Sequence, residues 1–521
     1  MGQYLNPGNN DFKEILEEKY VDKSMLIDFV NQNLNKKTSK LICVSRPRRF
    51  GKTFASFMLS AYYDKSCDSH ELFKGLNISK TDSYETNINK HNVIYLDITR
   101  FIGPEKDISN IVNSINKKVS IELIENFPIQ TDSYYLPDVL DKITLKYGER
   151  FIFIIDEWDA IYRQFKNEIR VQEKYVELLR DLFKSPTTGK SITAAYMTGI
   201  LPIVKYDHQS AVSDFKEYTM TDPRQLAPYY GFTEEEVEKL CEEHSMSFDL
   251  MKEWYDGYEL NGYSLYNPRS VVEAIDCRRY GNYWTRTSGY DEIKKYLEYD
   301  QVTNEDLMKL LSGKSIEVDI NTFKNDLIHL DSKDKIFTLL IHYGYFTYDE
   351  DTETIRIPNK EIHKEFISTV KESKYTNLSK MIIHSKELIQ STINREEKKV
   401  SKAIEYTHSM INNPENYNSE EALRVTIKMA YIASIDHYAY FEELPSGKGY
   451  CDIAFIPKDN VQSPILLFEL KWNKDTEEAL SQIKDKTYSQ RLEQFQKEIL
   501  FIGINYDANT KEHTCKIEKC H

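Results

Sequence analysis

The sequence has no apolar run long enough to cross a bilayer. Its longest runs, such as Phe151–Ile155 and Ile465–Phe468, are only strand-sized. Its first twenty residues have neither the basic nor the apolar region of a secretory signal, and Asn6 stands where N-myristoylation needs Ser or Thr. No signal peptide or membrane attachment is expected. Paired cysteine motifs are missing too. The seven cysteines (Cys43, Cys67, Cys241, Cys277, Cys451, Cys515 and Cys520) are odd in number and scattered, with no C-x-x-C. That pattern argues against a disulfide framework or a zinc knuckle and fits a reduced, cytoplasmic compartment. Positive charge is in deficit, with 68 Lys and Arg against 83 Asp and Glu, a net charge of −15. Such a chain does not draw in nucleic acid by its overall field, so any such contact has to come from a local basic groove. Low-complexity tracts and internal repeats are also missing.

What is present points to packed cores. Hydrophobic residues make up 40% and aromatics 12% of 521 residues, which suits roughly three or four domains of ~150 residues. Strand-like runs recur early: LICVS (41–45), VIYLDI (93–98), FIFIID (151–156) and ITAAYMTGI (192–200). They are apolar on both faces and alternate with helical patterns, which predicts a parallel sheet with helices on both faces over 1–224. Residues 225–375 read as a mostly helical, winged-helix-like domain, with a helix, a short hairpin and a second helix over KDKIFTLLIHYGYFTYDEDTETIRIPNKEIHKEF. Residues 376–521 read as a small α/β domain with strands in GYCDIAFIP, SPILLFELKW and EILFIGINY.

The stretch LICVSRPRRFGKTFASFML (41–59) runs from strand to turn to helix. It has the layout of a phosphate loop, except that Arg46 stands where G-x-x-x-x-G-K-[ST] places its first glycine. Gly51 allows close backbone approach, Lys52 reaches β/γ-phosphates, and the Thr53 hydroxyl can hold Mg²⁺. Arg48 and Arg49 position phosphates or face a nucleic acid. About a hundred residues on, the apolar strand FIFIID ends in Asp156 and Glu157, suited to holding a metal and to activating water. Thr198 ends the next strand, placed for the γ-phosphate or the lytic water. Asp159 is a supporting carboxylate or part of a solvated turn.

A second constellation lies near the C-terminus. Glu469 and Lys471 are two apart on one strand and so share a face, and a hairpin brings Asp452 beside them. The two carboxylates suit Mg²⁺ or Mn²⁺, and the lysine suits the attacking water. Glu421 on the preceding helix offers a further ligand, while Gln482 and Tyr488 lie on a helix that covers the site. The competing reading is an ordinary E-x-K pattern on a solvated edge strand.

With both sets in place, the chain resembles a bacterial family that joins an AAA-ATPase-like P-loop domain to a nuclease domain of the PD-(D/E)xK superfamily. The resemblance runs through RPRRFGKT (46–53), IIDEWDA (154–160), YNPRS (266–270), YWTRTSG (283–289), IPNKE (357–361), SGKGYCDIAF (446–455) and LFELKW (467–472). Arginine commonly replaces the first loop glycine in that family. The resemblance implies ATP and Mg²⁺ (or Mn²⁺) as cofactors and Lys52, Thr53, Asp156 and Glu157 as the ATPase residues. It implies Glu421, Asp452, Glu469 and Lys471 as the nuclease residues, with Gln482 and Tyr488 as auxiliaries. Glu420 competes with Glu421, and Cys451 takes the proline's place. Arg269 and Arg286 become candidate γ-phosphate sensors. Trp254, Tyr255, Tyr258 and Trp284 are core aromatics or stacking platforms. The expected function is an ATP-regulated, metal-dependent nuclease acting on DNA through a local groove, as a homo-oligomer and in defence against mobile elements. Its rival is a nucleotide-dependent signalling or scaffolding switch whose C-terminal domain binds nucleic acid or protein without cutting.

Overall fold

The structure, a computed structural model, describes residues 2–103, 108–203, 214–284, 290–325, 327–371, 376–411, 419–446, 449–458, 463–485 and 497–520. They form two compact units, residues 1–287 with 317–362, and residues 288–316 with 363–521. No helix among the described residues is long and apolar enough to cross a membrane.

The first unit is built on a parallel sheet of β1 (Leu41–Ser45), β2 (Asn92–Asp97), β3 (Phe151–Asp156), β4 (Ile192–Gly199) and β5 (Lys216–Tyr218), in the order β2-β3-β4-β1-β5. Both faces are covered, which is why the strands read as continuous apolar runs. Ile42, Val44, Ile152 and Ile154 fill one core, while Leu41, Cys43, Phe153 and Ile155 fill the other. The three-residue β5, sequence KEY, is an edge strand with no apolar run to announce it. At the carboxyl ends of β1, β3 and β4 the chain turns back, the usual place for a ligand in an open parallel sheet. There Gly51, at φ 86°, starts helix α1 (Lys52–Tyr63).

The rest of the unit is mainly helical. Thr233 and Glu236 form a reciprocal capping box on the helix Glu234–His244. The Asn267 side chain caps α2 (Pro268–Asp276) by accepting from the Ser270 amide. The expected helix, hairpin and helix appear as Lys333–Tyr343, the pair Thr347–Asp349 and Thr354–Arg356, and α3 (Lys360–Lys371), of which only Lys360–Ile362 belongs to this unit. Trp254, Tyr255, Tyr258 and Trp284 are all buried; they pack the interior.

The second unit holds a mixed sheet of β6 (Tyr438–Ser446), β7 (Gly449–Pro457), β8 (Ile465–Trp472), β9 (Ile499–Asp507) and β10 (Glu512–Lys519), paired in that order. Only β8 and β9 are parallel. One face, with Phe455, Leu466, Phe468 and Ile502, packs with α4 (Glu420–Ala430) and the helices Thr376–Ile393 and Glu397–Ile411. The other, with Ala454, Ile465, Leu467 and Phe501, packs against Leu480 of α5 (Thr476–Asp485).

Candidate active sites

At the phosphate loop, Lys52 is 4% exposed, and its ammonium donates to the loop's own carbonyls, Arg46 O at 3.0 Å and Pro47 O at 2.9 Å. Burial lowers its pKa, while Glu157, Asp156 and Asp159 oppose that shift. The end of β3 brings Asp156 to the same place. Its buried carboxylate accepts from the Thr198 hydroxyl and interacts with the Thr53 hydroxyl, and burial raises its pKa. Lys52, Thr53, Asp156 and Thr198 therefore meet at the carboxyl end of the sheet. Glu157, at φ 53°, pairs with Arg163.

Asp159 is no part of a solvated turn. It is fully buried, accepts from the amides of Ile200 (3.0 Å) and Leu201 (2.8 Å), and pairs with Arg163 Nε at 3.0 Å. Arg163 thus fixes both acids that follow Asp156. It lies four residues after Asp159 on the next helix, a spacing that could have announced it.

Arg46, in the place of the missing glycine, is fully buried. Its Nη1 donates to the carbonyls of Ser45 (2.9 Å), Tyr218 (2.9 Å) and Thr219 (2.8 Å), and its guanidinium lies 5.4 Å from the Tyr230 ring centroid. Burial without a carboxylate pulls its pKa down to about 10. Arg46 is a structural bolt between β1 and the start of the helical region. Arg48, Arg49, Gly51, Lys52, Thr53, Glu157 and Arg269 line a cavity of about 720 Å³. Tyr20, Met58, Phe232 and Val272 add apolar walls. Basic groups beside apolar walls suit an anionic ligand with a flat apolar part. The residues present fit a nucleotide.

In the second unit, Glu469 and Lys471 continue the row of Ile465 and Leu467 toward α5, and both are buried. Lys471 Nζ lies 3.3 Å from Glu469 Oε1 and donates to Gln482 Oε1 at 2.6 Å. Gln482 is thus brought into the site, whereas Tyr488 and Arg286 lie outside the described residues. Asp452 sits where the β6–β7 ladder is interrupted. The register pairs Glu442 with Ile453 and Leu444 with Cys451, but the intervening Glu443 and Asp452 are unpaired in the ladder, and Glu443 has φ 51°. The Asp452 carboxylate accepts the Leu470 amide at 2.7 Å.

Glu421 is placed differently. It is exposed and pairs with Lys314 (3.1 Å) and Arg424 (3.4 Å). Arg424 also approaches Glu443 (3.3 Å) and Asp452 (3.7 Å), so it joins the acids of α4, β6 and β7. Among the described residues, no three His, Cys, Asp or Glu side chains converge as a metal cluster. Asp452 and Glu469 nonetheless supply two hard carboxylates from neighbouring strands. That fits Mg²⁺, which binds through one or two carboxylates and fills its remaining positions with water and phosphate oxygens. Sequence reasoning missed Arg424 and Glu443. The i,i+3 spacing from Glu421 hinted at the first; nothing local marked the second. Cys451, in the proline's position, has a buried thiol that donates to Ile453 O (3.1 Å) and Phe468 O (3.2 Å), and burial pushes its pKa to about 12. It is an inert core residue.

Comparison with known proteins agrees with the division into two sites. Residues 7–208 match the family model of a predicted AAA-ATPase, and residues 419–515 match that of the PD-(D/E)XK nuclease superfamily. The chain is similar to an uncharacterized protein in the vnfD 5′ region of Azotobacter chroococcum mcd 1, 23% identical over 274 residues. That match covers 51% of this chain and 50% of the relative, so the chain spans about half the length of the curated relative it matches. Similar solved structures include the Aeropyrum pernix ORC2 protein in ADPNP–ADP complexes, with 12% identity, 69% of this chain and 98% of that one covered, and a TM-score of 0.32. Another is the Aeropyrum pernix ORC1 protein in complex with DNA, with 9% identity, coverages of 88% and 95%, and a TM-score of 0.27.

Proposed function

With an AAA-ATPase-like domain and a PD-(D/E)XK nuclease superfamily domain joined in one chain, we propose that the protein binds and hydrolyses ATP. We further propose that it cleaves DNA phosphodiesters under nucleotide control, in defence against mobile elements. The observation that carries the reading is the Glu469–Lys471 pair, buried on a strand whose preceding residues are all apolar and held from α5 by Gln482. Charges are costly in such a place unless paired and put to use.

In the first unit, nucleotide phosphates would enter over the Gly51 turn and take the Lys52 ammonium away from the carbonyls of Arg46 and Pro47. Thr53 and Asp156 would hold Mg²⁺. Glu157 would accept the proton of the attacking water, with Arg163 fixing its carboxylate. In the second unit, Asp452 and Glu469 would hold the divalent ion, which when bound supplies Lewis-acid stabilisation of charge on the phosphate. Lys471, fixed by Gln482, would orient a water oxygen toward phosphorus. That oxygen would bond to phosphorus and give up a proton to solvent, while the bond to one sugar oxygen breaks and the leaving oxygen takes a proton from solvent.

Nicking of supercoiled plasmid in Mg²⁺ or Mn²⁺, with and without ATP, tests this reading. Cleavage is expected from the wild type, with a loss of at least about a hundredfold in Asp452→Ala and in Lys471→Ala. Lys52→Ala should remove any response to ATP. Equal cleavage by Asp452→Ala would defeat the assignment, and no cleavage by any form would favour the switch that binds without cutting.

A further inference from the structure

Arg49 lines the nucleotide cavity, yet its Nη1 is already engaged. It donates to the carbonyls of Tyr283 at 3.0 Å and Trp284 at 2.8 Å. The amides of the same two residues donate to Glu361 Oε1, at 2.6 Å from Tyr283 and 2.9 Å from Trp284. The peptide plane joining residues 283 and 284 therefore has its carbonyl on a guanidinium and its N–H on a carboxylate. It bridges an ion pair whose members do not need to touch, with the peptide dipole aligned between them. Glu361 is 1% exposed, and its other oxygen accepts from Ser270 Oγ at 2.8 Å. Burial outweighs these three bonds and lifts its carboxyl to about 7. Ser270 follows Arg269, which lines the same cavity. Both ends of the chain Arg49, 283–284, Glu361, Ser270 therefore return to the nucleotide site.

The geometry is also under tension. Arg49 holds φ 70°, a left-handed conformation that a residue with a side chain keeps only when its surroundings enforce it. The same segment is pressed close to the loop. A Cβ on Gly344 would lie 2.8 Å from Pro47 and 3.0 Å from the Trp284 ring.

Resting on the ATP-binding reading, we propose that Arg49 and Glu361 are a positioning pair that sets nucleotide affinity. Through the 283–284 peptide, Glu361 holds Arg49 on neutral carbonyls, and bound phosphate must take it from them. Phosphate is the stronger acceptor, since it meets the guanidinium with an opposite charge and can accept two parallel N–H bonds, which a neutral carbonyl cannot. Occupancy then loosens residues 283–284 from the loop. Direct phosphate binding by an uncommitted Arg49 would leave Glu361 without influence.

The test is a double-mutant cycle read by calorimetry with a non-hydrolysable ATP analogue. Glu361→Gln keeps the shape and weakens the hold, so it should bind the analogue about threefold to tenfold tighter than wild type, the equivalent of one moderate hydrogen bond. Arg49→Gln should bind more weakly. In the Arg49→Gln background, Glu361→Gln should have no effect. A purely structural role cannot produce tighter binding. Unchanged or weaker binding by Glu361→Gln, or tightening that persists without Arg49, overturns the inference. If Glu361→Gln fails to fold, hydrogen exchange on the wild type decides. The Tyr283 and Trp284 amides should exchange faster with the analogue bound, and no change overturns the proposal. Absence of analogue binding by wild type, matched by Lys52→Ala, would instead remove the ATP-binding reading itself.

Discussion

Arg46 shows how one residue can look like damage to a motif while serving the fold. Its Nη1 feeds three carbonyls, two of them more than 170 residues away, while its Nε and Nη2 have no hydrogen-bond partner. Restoring the standard glycine should therefore harm the protein. Arg46→Gly would leave a cavity, free two distant carbonyls and add backbone freedom, at about 2–4 kcal/mol in chemical denaturation. Arg46→Met keeps the volume and removes a buried charge that has no carboxylate beside it, so it should lose less. A glycine variant as stable as wild type would contradict the bolt. At this scale the sequence marked candidate residues for both sites but not the restraints on them. Lys52, Asp156, Asp452 and Glu469 stand in motifs whose residue types carry their chemistry, whereas Glu361, at the end of IPNKE, and Glu443 meet partners that the chain brings in from elsewhere. No local pattern records such partners.

At the scale of elements, strands with an apolar run were legible, the edge strand β2 among them, and polar edge strands were not. β1, β3, β8 and β9 are buried almost from end to end, and each opens on an apolar run. By contrast, β5, β6 and β10 lie at sheet edges. Edge strands carry charge and polar residues that blunt association, which hides them from an apolar-run search; KEY and EHTCKIEK are examples. Helix ends carry a sharper constraint. The helix Lys333–Tyr343 stops at Gly344, at φ 85°, whose carbonyl accepts from Tyr258 at 2.7 Å and whose missing side chain leaves room for Pro47 and Trp284. Gly344→Ala should cost about 1–2 kcal/mol through the left-handed backbone alone. Because the added methyl pushes on Pro47, it should also weaken nucleotide binding. Unchanged thermal stability would show that the helix end can move away.

For the whole molecule, the two units have separate cores and separate candidate sites. A ligand that binds only the native state of one unit stabilises that unit by mass action. Thermal unfolding followed by scanning calorimetry should therefore show that an ATP analogue raises one transition and Mn²⁺ raises another. Lys52→Ala should abolish the first shift alone, and Asp452→Ala the second alone. A single transition moved equally by either ligand would mean that the units unfold together.

The first unit is also discontinuous in the chain: its residues 1–287 are completed only by 317–362. Ribosomes add roughly 5–20 residues per second. Glu361 follows the Gly51-Lys52-Thr53 turn by roughly 300 residues, so it emerges on the order of 15–60 s later. During that interval the nascent chain carries a phosphate loop with its lysine and threonine, but without Gly344 behind Pro47 or a carboxylate to hold residues 283–284. The order of synthesis thus makes the loop's own chemistry available before the restraint on it, and the nucleotide site reaches its finished form only when about two-thirds of the protein exists.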